Sequence, residues 1–159
     1  MGIMVITMNN VRALRKIVVT KKSLWKKPNE GFTCINVDAA FDETTESGSV
    51  GAVARDDMGS HGALANELGV NRIIIQSDCL EAIEVLQAGA FSSTSAAPYY
   101  DDICIQATTF GKVCFSFCSR DANYVAHHLA KEAEINPCVW VDEPPSFIVH
   151  FLVDDVTTI

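Results

Sequence analysis

The alternation of hydrophobic and polar positions predicts a series of strands and helices between residues 24 and 155. Strands are indicated by period-two alternation or β-branched runs, and helices by apolar positions three or four residues apart. In chain order, the predicted elements are strands at 32–41 and 47–55, a short helix at 63–69, a strand at 72–76, helices at 79–88 and 98–110, a strand at 112–118, a helix at 123–134 and an apolar segment at 147–153. Two strands followed by strand–helix alternation favour an α/β fold, with a central mixed sheet flanked by helices.

Two aspartates stand out because they lie within or directly after apolar strands. Asp38 interrupts the first predicted strand, where a carboxylate is costly unless it is paired or bound to a cation. Asp78 follows the third predicted strand, so both carboxylates could share Mg²⁺ or Mn²⁺, which prefer hard oxygen ligands. Two other interpretations stay open. Asp38 could reach water at a strand end, and Asp78 could cap the next helix, since Ser77, Asp78 and Glu81 have the spacing of a capping box.

A second polar cluster occupies residues 119–131 and contains two adjacent histidines. His127 and His128 point about 100° apart on a helix, so they cannot hold one ion together. We expect one to face the sheet and the other to face solvent. Asp121 and Asn123 have the chemistry of helix caps.

The composition describes one globular domain with a substantial core. The chain has 159 residues, of which 48% are hydrophobic and 20% charged, which places it outside the disordered class. Its apolar runs fall short of the roughly 18 residues that a membrane-spanning helix requires, so we expect no membrane partner. Neither a G-x-G-x-x-G nor a phosphate-loop motif occurs, which counts against an unrelated α/β domain that binds a small molecule.

Charge is distributed unevenly along the chain. The net charge is −8, but residues 1–30 carry +6 and the remainder carries −14. The negative charge of residues 31–159 argues against nonspecific nucleic-acid binding over the whole surface. The basic residues near the N-terminus could contact an anion locally, or they could form a solvated linker.

The cysteines and the start of the chain indicate an intracellular, reducing compartment, the nucleus or cytoplasm. Six cysteines are present, but no C-x-x-C occurs and their spacing supports neither a disulfide framework nor a zinc site. No secretory signal is recognisable. An organelle transit peptide is a less favoured alternative: the first 29 residues lack acidic side chains, as such peptides do, but they contain too little serine.

Several motifs in fixed order resemble one family. The segment Gly31–Phe41 resembles the opening strand of plant ribonuclease H-like domains, the reverse-transcriptase-like group of the type-1 ribonuclease H family. The further matching stretches are Trp25–Pro28, Gly51–Gly59, Glu67–Asp78, Arg120–Ala130, and a tail with Trp140 and Pro144–Pro145. Together they cover roughly residues 24–155.

The resemblance implies a ribonuclease H-like fold whose acidic site binds two Mg²⁺ (or Mn²⁺) ions and hydrolyses RNA paired to DNA. Carried over by position, Asp38 and Asp78 are catalytic metal ligands. His127 stands where related enzymes have an acidic residue, and it would ligate metal or move a proton. Asn123 is the candidate contact to substrate. The implied partner is nucleic acid, an RNA–DNA hybrid.

One departure from the family pattern concerns catalysis. The third strand and the first half of the first helix, which supplies the family's catalytic Glu, have no counterpart. Glu67 matches the end of that helix and does not replace the Glu. We therefore expect impaired hydrolysis, with a catalytically inactive nucleic-acid or protein interaction module as the alternative.

These motifs divide the chain into three parts. Residues 1–23 form a basic N-terminal arm, residues 24–155 form the ribonuclease H-like domain, shortened near 59–62, and residues 156–159 form the C-terminal tail. Shortening would leave an unpaired sheet edge, so we expect reduced stability and a tendency to aggregate.

Overall fold

The computed structural model describes residues 24–58, 70–89, 96–133 and 144–157. Four strands and four helices are present in this part of the chain. They are β1 (Thr33–Asp42), β2 (Ser47–Arg55), β3 (Arg72–Ser77), α1 (Leu80–Ala88), α2 (Ala97–Ala107), β4 (Lys112–Phe117), α3 (Tyr124–Ala133) and α4 (Ser146–Thr157). A 3₁₀ turn, Arg120–Asn123, leads into α3. The basic arm, the short helix at 63–69 and the shortening near 59–62 lie outside the described residues and stay predictions.

The described strands form one mixed sheet in the order β2-β1-β3-β4. β1 pairs with β2 antiparallel, while β1–β3 and β3–β4 are parallel. The predicted α/β fold with a central mixed sheet is confirmed. Among the described strands, β2 lies at one edge of the sheet. The reduced stability and the tendency to aggregate stay predictions.

One face of β1 and β2 carries the core and leads to the site. Cys34, Asn36 and Asp38 alternate along β1, and their partners on β2 are Arg55, Val53 and Gly51. Since paired residues share a face of the sheet, all six point toward the same covering layer. The buried hydrophobic cluster on this side is Val53, Val125, Ala126, Leu129, Ile148 and Leu152, which draws on β2, α3 and α4.

Small residues allow α3 to lie very close to β2. A Cβ atom at Gly51 would overlap backbone atoms of Ala126 and Ala130. Ser49 Oγ donates a hydrogen bond to the Ala130 carbonyl at 2.7 Å, which fixes the strand against the helix. Because Asp38 is paired with Gly51, this close approach brings α3 directly over Asp38.

The remaining helices bury less apolar surface. In α1 only Ile83 is buried, and Leu80 is 50% exposed. No residue of α2 is buried. None of the helices in the described ranges has the length and apolar character needed to cross a bilayer.

Candidate functional site

The structure brings all four predicted site residues together. Asp38 lies on β1 and Asp78 directly follows β3, and these two strands are parallel neighbours. Asn123 ends the 3₁₀ turn and His127 lies one turn into α3. Hydrogen bonds and ion pairs connect the four side chains, directly or through Arg120.

Asp38 is held by a histidine and an arginine. Its Oδ2 lies 2.7 Å from His127 Nδ1 and 3.3 Å from Arg120 Nη1. His127 Nδ1 also lies 2.7 Å from that Arg120 nitrogen. With a proton on Nδ1, His127 donates to Asp38, and without it Nδ1 accepts from Arg120. The imidazole is therefore placed to hold a proton against Asp38.

Asp78 has both carboxylate oxygens engaged. Its Oδ2 lies 2.6 Å from Arg120 Nε, and its Oδ1 accepts from Asn123 Nδ2 at 2.9 Å. It does not cap α1, whose N-cap Cys79 makes no side-chain cap bond. Instead Ser77 Oγ accepts from the Cys79 backbone N–H at 3.2 Å. The capping-box interpretation of Asp78 is wrong because Arg120 and Asn123 turn its carboxylate into the site.

Asn123 is the link between the site and the interior. It is fully buried and donates from Nδ2 to the Val37 carbonyl at 2.9 Å as well as to Asp78. Its Oδ1 accepts from Asn36 Nδ2 at 3.3 Å. Asn123 does not serve as the helix cap that its residue type suggested, because Ser119 Oγ accepts the capping bond from Ala122.

A buried polar chain continues behind Asn123. Asn36 Oδ1 accepts from Arg55 Nη2 at 2.9 Å, and Arg55 Nη1 pairs with Asp155 Oδ2 at 2.8 Å. Asn36 is fully buried and Arg55 is 1% exposed. Sequence reasoning missed these partners. The available signal was Asn36, a polar residue two positions before Asp38 on an otherwise buried face.

Arg120 is the further site residue that the sequence did not predict. Its motif position was recognised, but no role was assigned to it. The guanidinium contacts both Asp38 and Asp78 while the side chain stays 59% exposed. The signal was a positive charge in the same short segment as Asn123 and His127.

The neighbouring titratable groups are not poised for chemistry. Burial, reinforced by the negative charge of Asp78, raises the pKa of Cys118 to about 11, and burial also raises the pKa of Cys34. Both thiols are therefore protonated near neutral pH and are poor nucleophiles. Desolvation, and then the positive charges of His127, Lys131 and His150, lowers the pKa of His128.

The two adjacent histidines have different roles. His128 stacks on Phe151 with ring centroids 4.4 Å apart and meets the edge of Tyr124 at 4.3 Å. Only His127 contacts Asp38. The expectation that one histidine faces the sheet is confirmed, because His127 contacts Asp38 on β1. The other was expected to face solvent, but His128 is half-buried and packs against Phe151 of α4.

The donor set falls short of a two-metal centre. Ribonucleases H generally use divalent metal ions, and such centres are built from several carboxylates. Within residues 24–58, 70–89, 96–133 and 144–157, no group of three or more His, Cys, Asp or Glu side chains is arranged to hold a metal ion. Asp78 has no oxygen without a hydrogen-bond partner, and Arg120 lies between the two carboxylates. The arrangement therefore does not fit the metals as it stands.

Comparison with known proteins agrees with the fold. The N-terminal RNase H domain of a Mycobacterium tuberculosis protein, solved as a fusion with maltose-binding protein, is 17% identical with a TM-score of 0.54, covering 64% of this chain and 92% of that one. RNase H1 from the halophilic archaeon Halobacterium salinarum is 16% identical with a TM-score of 0.55, covering 65% of this chain and 97% of that one. No curated protein matches the chain significantly. Residues 63–133 match the family described as reverse transcriptase-like. The chain therefore has a ribonuclease H-like fold, and its residues 63–133 are similar to the reverse transcriptase-like family.

Proposed function

We propose that the chain is a nucleic-acid-binding ribonuclease H-like protein that recognises RNA–DNA hybrids and hydrolyses their RNA strand with impaired efficiency. The observation that carries the proposal is the convergence of Asp38, Asp78, Asn123 and His127 at one site on neighbouring parallel strands. These are the positions that the family resemblance assigns to substrate binding and catalysis. Binding sites of α/β sheets commonly lie at such strand ends.

The side chains support proton transfer at a phosphate. His127 can carry a proton at Nδ1, and the Asp38 carboxylate, 2.7 Å away, orients the ring. Asn123 is hydrogen-bonded on both its oxygen and its nitrogen, so it holds Asp78 in a fixed orientation. These groups can move a proton during cleavage or product release.

The count of acidic groups supports impaired hydrolysis. The described site gathers two carboxylates, and the family's catalytic Glu has no counterpart in the sequence. When a reacting group is misplaced by even about 1 Å, rates fall by roughly a hundredfold. We therefore expect cleavage at least about a hundredfold slower than that of a ribonuclease H with the full acidic set.

A second candidate function is an interaction module that binds without turnover. The pairing of Arg120 with both carboxylates favours it, because the acidic pair then has its charge partly neutralised within the chain. Such a module would bind nucleic acid or a protein without cleaving it.

The test is a gel assay on an end-labelled RNA–DNA hybrid with Mg²⁺, with Mn²⁺ and with EDTA. The proteins are wild type, Asp38→Asn and, as a charge-matched control, Asp101→Asn on the exposed helix α2. We expect a shifted band with slow, metal-dependent cleavage that Asp38→Asn abolishes and Asp101→Asn preserves. A shift without cleavage would favour the interaction module, and folded protein that neither binds nor cleaves would contradict both.

A further inference from the structure

We infer that Arg120 is the resident counter-ion of the Asp38–Asp78 pair and competes with divalent metal for it. The inference deepens the proposed function, because it concerns how the same site is controlled. It starts from the mismatch between the donor set and a two-metal centre.

One guanidinium bridges the two carboxylates through different nitrogens. Arg120 Nε contacts Asp78 Oδ2 at 2.6 Å and Nη1 contacts Asp38 Oδ2 at 3.3 Å. Arginine is suited to this role because its donors are fixed in a planar fork and its charge is permanent. The carboxylates are 12% and 7% exposed, so they are largely shielded from water that would otherwise solvate them. Arg120 therefore supplies the positive charge that the buried acids require.

A divalent ion and this guanidinium cannot occupy the pair together. A metal ligand must direct an oxygen lone pair at the ion, but the Oδ2 atoms of both aspartates already contact Arg120, and Asp38 Oδ2 also lies 2.7 Å from His127 Nδ1. An ion that bridged the same atoms would also lie within a few ångströms of a like charge, which is unfavourable even with solvent screening. A metal that bridges the two aspartates through these Oδ2 atoms therefore requires Arg120 to leave.

Departure of Arg120 is feasible at modest cost. Its side chain is 59% exposed, so water can solvate the guanidinium once it leaves the carboxylates. The contacts with Asp38 and Asp78 involve only the terminal planar group of a flexible side chain. The competition should thus weaken metal binding without abolishing it.

The experiment is a titration with Mn²⁺ alone, followed by electron paramagnetic resonance of the free ion and by calorimetry. The variant is Arg120→Gln, and the charge-matched control is Arg72→Gln, which changes an exposed arginine stacked on Phe32 away from the site. We expect Arg120→Gln to bind Mn²⁺ about tenfold more tightly than wild type, and Arg72→Gln to leave the affinity unchanged. Adding Asp38→Asn to Arg120→Gln should remove the gain.

Two results would overturn the inference. One is unchanged or weaker Mn²⁺ binding by Arg120→Gln, and the other is a gain that persists after Asp38→Asn. Arg120→Lys provides a second variant, because a lysine can contact one carboxylate but cannot bridge both with a planar fork. Arg120→Lys should give a smaller gain in Mn²⁺ affinity than Arg120→Gln. If Arg120→Gln does not fold, the inference is overturned when Arg120→Lys binds Mn²⁺ no more tightly than wild type.

The titration separates this inference from the proposed function, because it contains no nucleic acid. Tighter Mn²⁺ binding by Arg120→Gln together with no hybrid binding by wild type would support the counter-ion and reject the hybrid ligand. Hybrid binding with unchanged Mn²⁺ affinity would support the hybrid ligand and reject the counter-ion.

Discussion

Asn123 shows how one amide can organise the site at the scale of a single residue. Its nitrogen donates to the Val37 carbonyl and to Asp78, and its oxygen accepts from Asn36. It is completely buried, so water cannot replace these bonds if the side chain is removed. In this position Asn123 holds Asp78 in place, while its contact with substrate stays a prediction.

Asn123→Ala should lower the free energy of unfolding by about 2–4 kcal/mol. The reason is that the substitution removes the donor to the Val37 carbonyl and to Asp78 Oδ1, and an acceptor left unpaired away from water costs about 1–3 kcal/mol. Asn36 Nδ2 loses one acceptor but still donates to Gln76 Oε1 at 3.2 Å. Urea denaturation followed by circular dichroism measures the change. Asp121→Ala is the matched control, since Asp121 lies in the same 3₁₀ turn but is exposed. Equal effects of the two substitutions would contradict the role given to Asn123.

At the scale of elements, the contact between α3 and β2 sets the position of His127. Gly51 lies against the backbone of Ala126 and Ala130, so β2 and α3 approach without an intervening side chain. His127 follows Ala126 directly, and its imidazole contacts Asp38, the strand partner of Gly51. The geometry of the site therefore depends on a position that carries no functional group.

Gly51→Ala should destabilise the protein by about 3 kcal/mol or more and move His127 away from Asp38. The added methyl group overlaps backbone atoms that cannot turn aside, and overpacking of this kind typically costs about 1–3 kcal/mol and sometimes more. Urea denaturation measures the stability, and the NMR shifts of the His127 ring report its contact.

Gly48→Ala is the matched control for this prediction. It lies on the same strand, but a Cβ there would meet its nearest neighbours at an ordinary 3.7 Å. Stability and His127 shifts that respond equally to both substitutions would show that strand propensity, rather than the close approach, is responsible.

The elements also show what a sequence pattern can and cannot predict. The alternation in β1 correctly placed Asn36 and Asp38 on one face, because side-chain direction in a strand follows period two. The apolar segment at 147–153 was not assigned as the helix α4, because a short apolar run fits a buried helix or strand equally well.

The contacts of Arg120 and Asp155 illustrate a second feature that a sequence pattern cannot predict. Both depend on residues far away in the chain, since Arg120 meets Asp38 and Asp155 meets Arg55. Periodicity specifies which face a residue occupies but contains no information about which charged partners meet across elements. The aspartates of the site could be predicted from local pattern and family resemblance, whereas their cation could not.

At the scale of the whole molecule, one buried polar chain joins the last helix to the site. It runs from Asp155 on α4 through Arg55, Asn36 and Asn123 to Asp78. Burial lowers the pKa of Arg55, and the hydrogen bond and charge of Asp155 oppose this effect. The arginine also stacks on Trp25, with its guanidinium carbon 3.7 Å from the ring centroid. Asp155 therefore compensates the buried charge of Arg55.

Asp155→Ala should lower the free energy of unfolding by about 3–5 kcal/mol, because removal of one partner leaves the other charge buried and uncompensated. Asp154→Ala, at the exposed neighbouring position on α4, makes the same chemical change and should cost far less. Both are measured by urea denaturation, with Arg55→Met and the double variant Arg55→Met with Asp155→Ala completing a double-mutant cycle. A coupling energy near zero would show that this pair does not join α4 to the sheet, whereas a coupling above about 1 kcal/mol would establish that the pair links α4 to β2.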